Sequence, residues 1–143
     1  MEWMRVKHDL VERYRNIERL WVSQRWEDWV ATTAPGYLFA PGVGPDRDAH
    51  AAVAWSCALF RAFPDISQTV QHVVADATTA AGVTRFRGTH TGTLDLGVGT
   101  PLVATGRVVD LVYIKLLDFD DGLVVHDRQI MDTVQLLRQL SVT

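Results

Sequence analysis

The sequence feature that most constrains the fold is a change in hydrophobic spacing at Pro64. Before this proline, apolar residues recur every three or four positions, which places them on one face of a helix. After it come runs rich in β-branched residues, which are typical of strands, at positions 66–75, 83–91, 108–119 and 123–131. Helices followed by an antiparallel run of strands predict an α+β domain, with its helices on one face of a strongly curved sheet.

Three helices and a short strand are expected before the switch. The first helix carries a stripe of apolar residues at spacings of three and four: Trp3, Val6, Leu10, Tyr14, Ile17 and Trp21. A second, shorter helix ends before Pro35, and residues 37–39 form a short strand. The third helix is capped by Asp46 or Asp48. Its predicted inward face consists of Val53, Cys57 and Phe60.

Composition and charge exclude several classes of protein. The chain has 143 residues, a formal charge of −3 and 48% hydrophobic residues, which favours one globular domain over residues 1–143. It has no lysine-rich run to match a nucleic-acid backbone, and its longest uncharged helical run is too short to cross a bilayer. No secretory signal pattern opens the chain, so we expect a cytoplasmic protein.

The two last strands are predicted to form a hairpin at Asp120-Asp121-Gly122. A three-residue loop would pair Phe119 with Leu123, and it would place Lys115 opposite Asp127 and Tyr113 opposite Gln129. A two-residue turn would instead place Lys115 opposite Arg128, where like charges repel. We therefore prefer the first register. In that register one face carries Tyr113, Lys115, Leu117, Val125, Asp127, Gln129 and Met131. The other face carries Val112, Ile114, Leu116 and Ile130, so both faces are apolar enough to be covered, one by the helices and one by a partner subunit.

Three segments of the sequence share their order and separation with a known family. They are the stretch from Trp26 to Pro35, the stretch Phe60–Asp65, and a pattern from Arg87-Gly-Thr-His-Thr-Gly92 through Asp121-Gly122 to Asp132, followed by Leu136-Leu-Arg-Gln-Leu140. Together they resemble the SnoaL-like polyketide cyclases, within the nuclear transport factor two-like superfamily. The resemblance implies a cone of helices and bent sheet around an apolar pocket, and a homodimer formed through the outer sheet face.

The resemblance also indicates which positions would carry protons. Family cyclases similar to this chain use a histidine on the penultimate strand and an aspartate on the last strand. Alignment on Asp121-Gly122 places Lys115 and Gln129 there. The acidic position of related steroid isomerases, just before the proline that follows the first strand, is Ala40 in this chain. The sequence therefore predicts the family's pocket with a different set of reacting groups.

Asp127 is the first candidate for the chemistry, because it shares a strand face with Gln129 and lies near Lys115 on the neighbouring strand. A carboxylate in an apolar cavity can act as a general acid or base. Lys115 could stabilise an enolate, and Gln129 could orient a carbonyl or a water molecule. The alternative is an idle cross-strand ion pair between Lys115 and Asp127 on a solvated sheet face.

Aromatic and apolar side chains are candidates for contact with a small hydrophobic or aromatic substrate: Tyr14, Trp21, Phe39, Trp55, Tyr113 and Met131. Core packing is the competing explanation for each of them. His90 is expected to organise a strand end. The other histidines lack the spacing of metal ligands, and no phosphate-binding loop or dinucleotide motif occurs, so no metal and no cofactor are predicted.

These observations favour a cofactor-independent cyclase or isomerase that acts on a polyketide or related metabolite. Asp127 would move the proton, while Lys115 and Gln129 would polarise an oxygen. Two other functions remain open. One is epoxide opening of the limonene-epoxide-hydrolase type, and the other is a module that binds a hydrophobic ligand or a partner without catalysis.

Overall fold

The computed structural model describes residues 2–97 and 99–141 of the chain. In chain order its helices and strands are α1 (Glu2–Val22), α2 (Trp26–Val30), β1 (Thr33–Ala40), α3 (Ala49–Ala62), β2 (Ser67–Ala75), β3 (Thr79–Thr89), β4 (Val108–Asp120), β5 (Leu123–Met131) and α4 (Thr133–Gln139). The predicted change from helices to strands after Pro64 is confirmed. The short helix α4, which follows the last strand, was not predicted.

The helices pack on a five-stranded mixed sheet of order β1-β5-β4-β3-β2. β1 runs parallel to β5, and the other neighbouring strands are antiparallel. The predicted α+β class and the mainly antiparallel sheet are therefore confirmed. The sheet is open, with β1 and β2 as its edges, and does not close into a barrel.

Helix α1 lies against β2 and β3 through the predicted stripe. Leu10, Tyr14, Ile17 and Trp21 are buried along it, whereas Trp3, at the start of the helix, is 57% exposed. Burial of these large side chains against the sheet holds the helix in place, because most helical stability in proteins comes from packing of the apolar face.

Helix α3 begins at Asp48, whose side chain accepts a hydrogen bond of 2.8 Å from the backbone N–H of Ala51. The predicted inward face is wrong in part. Phe60 is buried as expected, but Ala52 and Ser56 occupy the inner face, and Val53 and Cys57 are only half-buried. Ser56 faces inward because its hydroxyl accepts a hydrogen bond of 2.9 Å from the indole N–H of Trp21.

The preferred β4–β5 register is wrong. The alternative with a two-residue turn is right at the turn itself, where Asp120 pairs with Leu123, but it fails farther along the strands, where Lys115 does not pair with Arg128. The turn has two residues, Asp121 and Gly122, both with positive φ (49° and 79°), the geometry of a type I′ hairpin. A bulge follows next to Asp118 and Phe119. The observed pairs are therefore Lys115 with Gln129, Leu117 with Asp127, and Tyr113 with Met131.

The observed register differs from the preferred one by two residues, an even number, so every side chain beyond the bulge keeps its predicted face. Within the bulge the prediction fails. Val125 has no partner in the ladder, and Val124 is buried in the core in its place. The outer face of the sheet exposes apolar side chains at Val112, Ile114 and Ile130. The homodimer through this outer face stays a prediction.

The segment between β3 and β4 folds back over one end of the sheet. Leu94 and Leu102 form an isolated bridge, and Leu94 is buried in the second of two core clusters. His90 anchors this segment: its buried ring nitrogen Nδ1 lies 3.0 Å from the hydroxyl of Thr105. The short helix α4 is capped by the side chain of Asp132 and buries Leu136 against the same cluster.

Candidate active site

A cavity of about 60 Å³ lies between the helices and the inner face of the sheet. Its walls are mainly apolar, and they include Trp21, Phe39, Trp55, Leu94 and Met131. Several polar side chains also reach the wall, from α1, β1, β2, β4 and β5: Glu18, Tyr37, Gln68, Tyr113, Lys115, Asp127 and Gln129. A few convergent polar groups in an apolar pocket are typical of small-molecule sites.

Lys115 and Asp127 form an ion pair on this wall. The Lys115 Nζ atom lies 3.2 Å from Oδ1 of Asp127 and 3.4 Å from Oδ2. Asp127 is 2% exposed and Lys115 is 9% exposed, so both charges are removed from bulk water. The ammonium also lies 5.2 Å from the ring centre of Phe39. The alternative of an ion pair on a solvated sheet face therefore does not describe the geometry.

Tyr37 completes this cluster, and the sequence interpretation missed it. Strand β1 pairs with β5 so that Phe39 is the partner of Asp127. Tyr37 points to the same side two residues earlier, and its hydroxyl donates a hydrogen bond of 2.8 Å to Oδ2 of Asp127. Oδ1 is buried and makes no hydrogen bond within the described part of the chain. Oδ2 is thus held by the hydroxyl of Tyr37, while Oδ1 makes the 3.2 Å contact with the ammonium of Lys115.

The surroundings of the pair act on its ionisation. Burial alone lowers the pKa of Lys115, but the carboxyl groups of Asp127 and Glu18 outweigh burial and raise it above its ordinary value of 10.5. Burial, together with the charge and hydrogen bond of Asp127, raises the pKa of Tyr37 far above 10.0. Lys115 therefore remains a cation at neutral pH, and Tyr37 remains a hydrogen-bond donor.

Glu18 is a second acidic group on the cavity wall, and it too was missed. It lies on α1 within the buried stripe and is 6% exposed. Its Oε2 atom is 3.5 Å from the hydroxyl of Tyr113, which donates a hydrogen bond of 2.8 Å to Oε1 of Gln68. The sequence did contain an indication: Glu18 follows Tyr14 by four positions and precedes Trp21 by three, so it falls on the inward face of the helix.

The structure brings most of the predicted site residues together. Lys115, Asp127 and Gln129 line the cavity, as do the predicted substrate contacts Trp21, Phe39, Trp55, Tyr113 and Met131. Tyr14 does not line the cavity. It is fully buried between α1, on which it lies, and the sheet, and its hydroxyl packs against the backbone of Gly82 on β3.

The described residues contain no group of three His, Cys, Asp or Glu side chains arranged to hold a metal ion. Nor does any helix in this part of the chain have the length and apolar character needed to cross a membrane.

Comparisons with known proteins relate the whole domain to one family. The family model described as SnoaL-like polyketide cyclase matches residues 11–140. A candidate SnoaL-like polyketide cyclase from Jannaschia sp. CCS1 is 22% identical, with a TM-score of 0.78 over 96% of this chain and 95% of that one. IdmH, a candidate polyketide cyclase from Streptomyces antibioticus, is 24% identical, with a TM-score of 0.76 over 92% and 98% of the two chains.

An epoxide hydrolase of the LEH-like type from M. tuberculosis has the same fold. It is 10% identical, with a TM-score of 0.68 over 94% of each chain. These likenesses to solved structures concern the fold. No curated protein matches the chain.

Proposed function

The chain belongs to the SnoaL-like polyketide cyclase family, and from this premise we propose that it is a cofactor-independent cyclase or isomerase acting on a polyketide or related metabolite. The observation that carries the proposal is the pair of Lys115 and Asp127, 9% and 2% exposed on the wall of an apolar cavity. A buried ion pair is weak evidence of a stabilising role, since apolar residues of similar size often stabilise a protein as well. Its place on a cavity wall supports a chemical role instead.

Asp127 is the general base of this proposal. Its Oδ2 atom accepts hydrogen bonds from Tyr37 and Lys115, whereas Oδ1 lies 3.2 Å from the Lys115 ammonium without a hydrogen bond of good geometry among the described residues. Oδ1 would take the proton from a carbon next to a substrate carbonyl. Removing that proton places negative charge on the carbonyl oxygen as an enolate forms. A fixed ammonium in a dry site stabilises such charge more strongly than water does, and Lys115 supplies it.

Gln129 would orient the same oxygen. It is the ladder partner of Lys115 and is half-buried on the cavity wall. Its amide group can donate a hydrogen bond to a carbonyl oxygen without acting as an acid or a base. Phe39 and Trp55 form an aromatic wall of the cavity, with their ring centres 5.2 Å apart in an edge-to-face arrangement. Such a wall suits a flat, apolar substrate.

The size of the cavity limits how the substrate enters. A volume of about 60 Å³ accommodates several water molecules, each needing roughly 10–15 Å³ by this measure. A ring system would therefore have to displace side chains. Leu94 and Leu96 lie on the cavity wall and belong to the connection between β3 and β4, so displacement of these two side chains is the proposed route of entry.

The experiment is turnover of a panel of poly-β-ketones and polycyclic ketones by the wild-type chain and by Asp127→Asn. We expect the variant to lose about 10²- to 10⁴-fold in kcat, the usual contribution of a general base. Asp118→Asn is the matched control, because Asp118 lies on β4 but contacts Arg128 near the surface. Undiminished turnover by a folded Asp127→Asn protein would show that the proposed base is wrong.

Epoxide opening is the second candidate function. It is favoured by the presence of two buried carboxyl groups, Glu18 and Asp127, on the same cavity wall, since opening needs one group to activate water and another to protonate the epoxide oxygen. Adding epoxides of the same ring systems to the panel separates the two reactions. Tight binding of a panel compound without any turnover would instead favour a ligand-binding module.

A further inference from the structure

We infer that Glu18 is held in the cavity as a neutral carboxylic acid and is the proton donor that complements Asp127. The inference rests on the proposed function, because it supplies the acid for a reaction in which Asp127 is the base. Glu18 is not one of the three reacting groups proposed above for the cyclase or isomerase.

The first argument is the direction of the hydrogen bonds around Tyr113. The Tyr113 hydroxyl has one proton, and that proton is donated to Oε1 of Gln68 at 2.8 Å. The Oε2 atom of Glu18 also lies 3.5 Å from the same hydroxyl oxygen. The hydroxyl is the donor in this contact too, and with its single proton directed to Gln68 it stabilises a carboxylate at Glu18 only weakly over 3.5 Å. A buried carboxyl group whose hydrogen bond from Tyr113 is this long is favoured in its neutral form.

The second argument is the count of charges on the cavity wall. Its ionisable groups, besides the phenols of Tyr37 and Tyr113, are one cation, Lys115, and two acids, Glu18 and Asp127. Lys115 contacts Asp127 at 3.2 Å, so its charge is already balanced. A second carboxylate would be buried without a counter-ion, which is costly in an apolar environment.

The pKa of Glu18 agrees with this count. Burial raises the pKa of Glu18 above its ordinary value of 4.5, and Asp127 raises it further, while Lys115 and the hydrogen bond with Tyr113 act in the opposite direction. The two acids of the cavity therefore differ in their surroundings: Asp127 is in direct contact with Lys115 at 3.2 Å, whereas Glu18 contacts the hydroxyl of Tyr113 at 3.5 Å. Such a difference is what separates a general acid from a general base in one site.

The proposed step balances in protons and electrons. Asp127 removes a proton from the carbon next to one carbonyl, and the resulting enolate carbon forms a bond to a second carbonyl carbon of the same substrate. The π electrons of the second carbonyl move to its oxygen, which takes the proton from Glu18. Transfer of the proton from Asp127 to water, and of a proton from water to Glu18, restores the starting state.

Glu18 also has a route to water for this last transfer. Together with Gln68 it lines a second, more open groove of about 430 Å³ between α1 and β2. Arg15, Arg19 and Thr69 lie on the same groove. A residue shared by the inner cavity and an outer groove can give its proton to the inside and regain one from the outside.

The test compares the wild-type chain with Glu18→Gln, which keeps the size and the donor capacity of the side chain and removes its exchangeable acid proton. Glu12→Gln is the matched control, because Glu12 is exposed on the same helix. Infrared difference spectra at pH 7 report the carbonyl stretching band of a neutral carboxylic acid and its shift in D₂O. Steady-state kinetics on the panel of the previous section report kcat, KM and the pH profile.

We expect the infrared difference spectrum between wild type and Glu18→Gln to show the band of a neutral carboxylic acid. The difference spectrum between wild type and Glu12→Gln should lack that band. We also expect Glu18→Gln to lower kcat by about 10²-fold or more with little change in KM. The fall of kcat at high pH, where Glu18 loses its proton, should disappear in that variant.

Absence of the infrared band would overturn the inference and leave the proposed function intact. So would full kcat in a folded Glu18→Gln protein, if the separate Asp127→Asn protein is inactive. If neither Glu18→Gln nor Asp127→Asn affects turnover, the proposed function fails and the donor role fails with it. The infrared band still decides in that case whether Glu18 is neutral.

Discussion

Replacing Lys115 by methionine should destabilise the protein more than removing its partner Asp127. The Coulomb energy of charges 3.2 Å apart is about 5 kcal/mol at an effective dielectric constant of about 20. Lys115→Met loses this attraction and leaves the buried carboxylate of Asp127 with the single hydrogen bond from Tyr37. Breaking a buried pair in this way typically costs about 3–5 kcal/mol of unfolding free energy, and we expect a loss in that range.

Asp127→Asn should cost less, because the cavity holds a second acid. Once Asp127 is neutral, Glu18 on the same wall can lose its proton and balance the ammonium of Lys115. Replacing both members of the pair, Lys115→Met with Asp127→Asn, leaves no unbalanced charge, and it should be less damaging than Lys115→Met alone.

Urea denaturation at pH 7 measures all three proteins, and equal m-values justify direct comparison of their unfolding free energies. Lys7→Met is the control, since Lys7 lies near the surface over the ring of Trp3, and such substitutions change stability by about 0.5 kcal/mol or less. A cost below about 1 kcal/mol for Lys115→Met, or a greater cost for Asp127→Asn, would refute the reasoning from unbalanced buried charge.

Three further variants test other contacts. Tyr37→Phe removes the hydrogen bond of 2.8 Å to Asp127 and should cost about 1.5–3 kcal/mol in urea unfolding; an unchanged midpoint would contradict this. Gly82→Ala would bring its methyl carbon into steric overlap with the hydroxyl of Tyr14. A loss of about 1–3 kcal/mol in thermal unfolding is therefore expected, and wild-type stability would show that Tyr14 can move. Glu18→Gln should become more stable relative to wild type as pH rises above 4.5, because the unfolded wild-type chain loses the Glu18 proton at a lower pH than the folded one. The gain should be about 1.4 kcal/mol per pH unit, up to the raised pKa of Glu18 in the folded protein. Urea unfolding of both proteins at pH 5 and pH 8 measures this gain, and the same difference in unfolding free energy at the two pH values would contradict it.

Hydrophobic spacing predicted the elements well, but it did not predict which face of α3 is buried. The prediction took the larger apolar side chains, Val53 and Cys57, as the inward ones. In the structure the inner face carries Ala52 and Ser56, and the indole of Trp21 comes close enough to donate to the Ser56 hydroxyl. When a helix faces a bulky side chain on another element, small residues fit at the contact, and that partner is unknown from the helix alone.

The hairpin register shows a different limit of the sequence. Opposite charges favoured placing Lys115 directly across from Asp127, whereas the structure pairs Asp127 with Leu117. The ion pair forms all the same, because diagonal neighbours on adjacent strands lie within reach of long side chains. The bulge next to Asp118 sets the register, and no pattern in the sequence predicted it.

The residues that the sequence missed are those whose meaning depends on distant segments. Tyr37 reaches Asp127 only because β1 adds to the sheet edge in parallel with β5, and Glu18 reaches the cavity from the first helix. A cavity with only Lys115 and Asp127 would hold a balanced ion pair and would lack a neutral acid to donate the second proton. Glu18 supplies that acid, because one cation balances only one of the two acids and the other keeps its proton. One buried cation for two buried acids therefore accounts both for the stability that Lys115→Met should lose and for a transferable proton on Glu18.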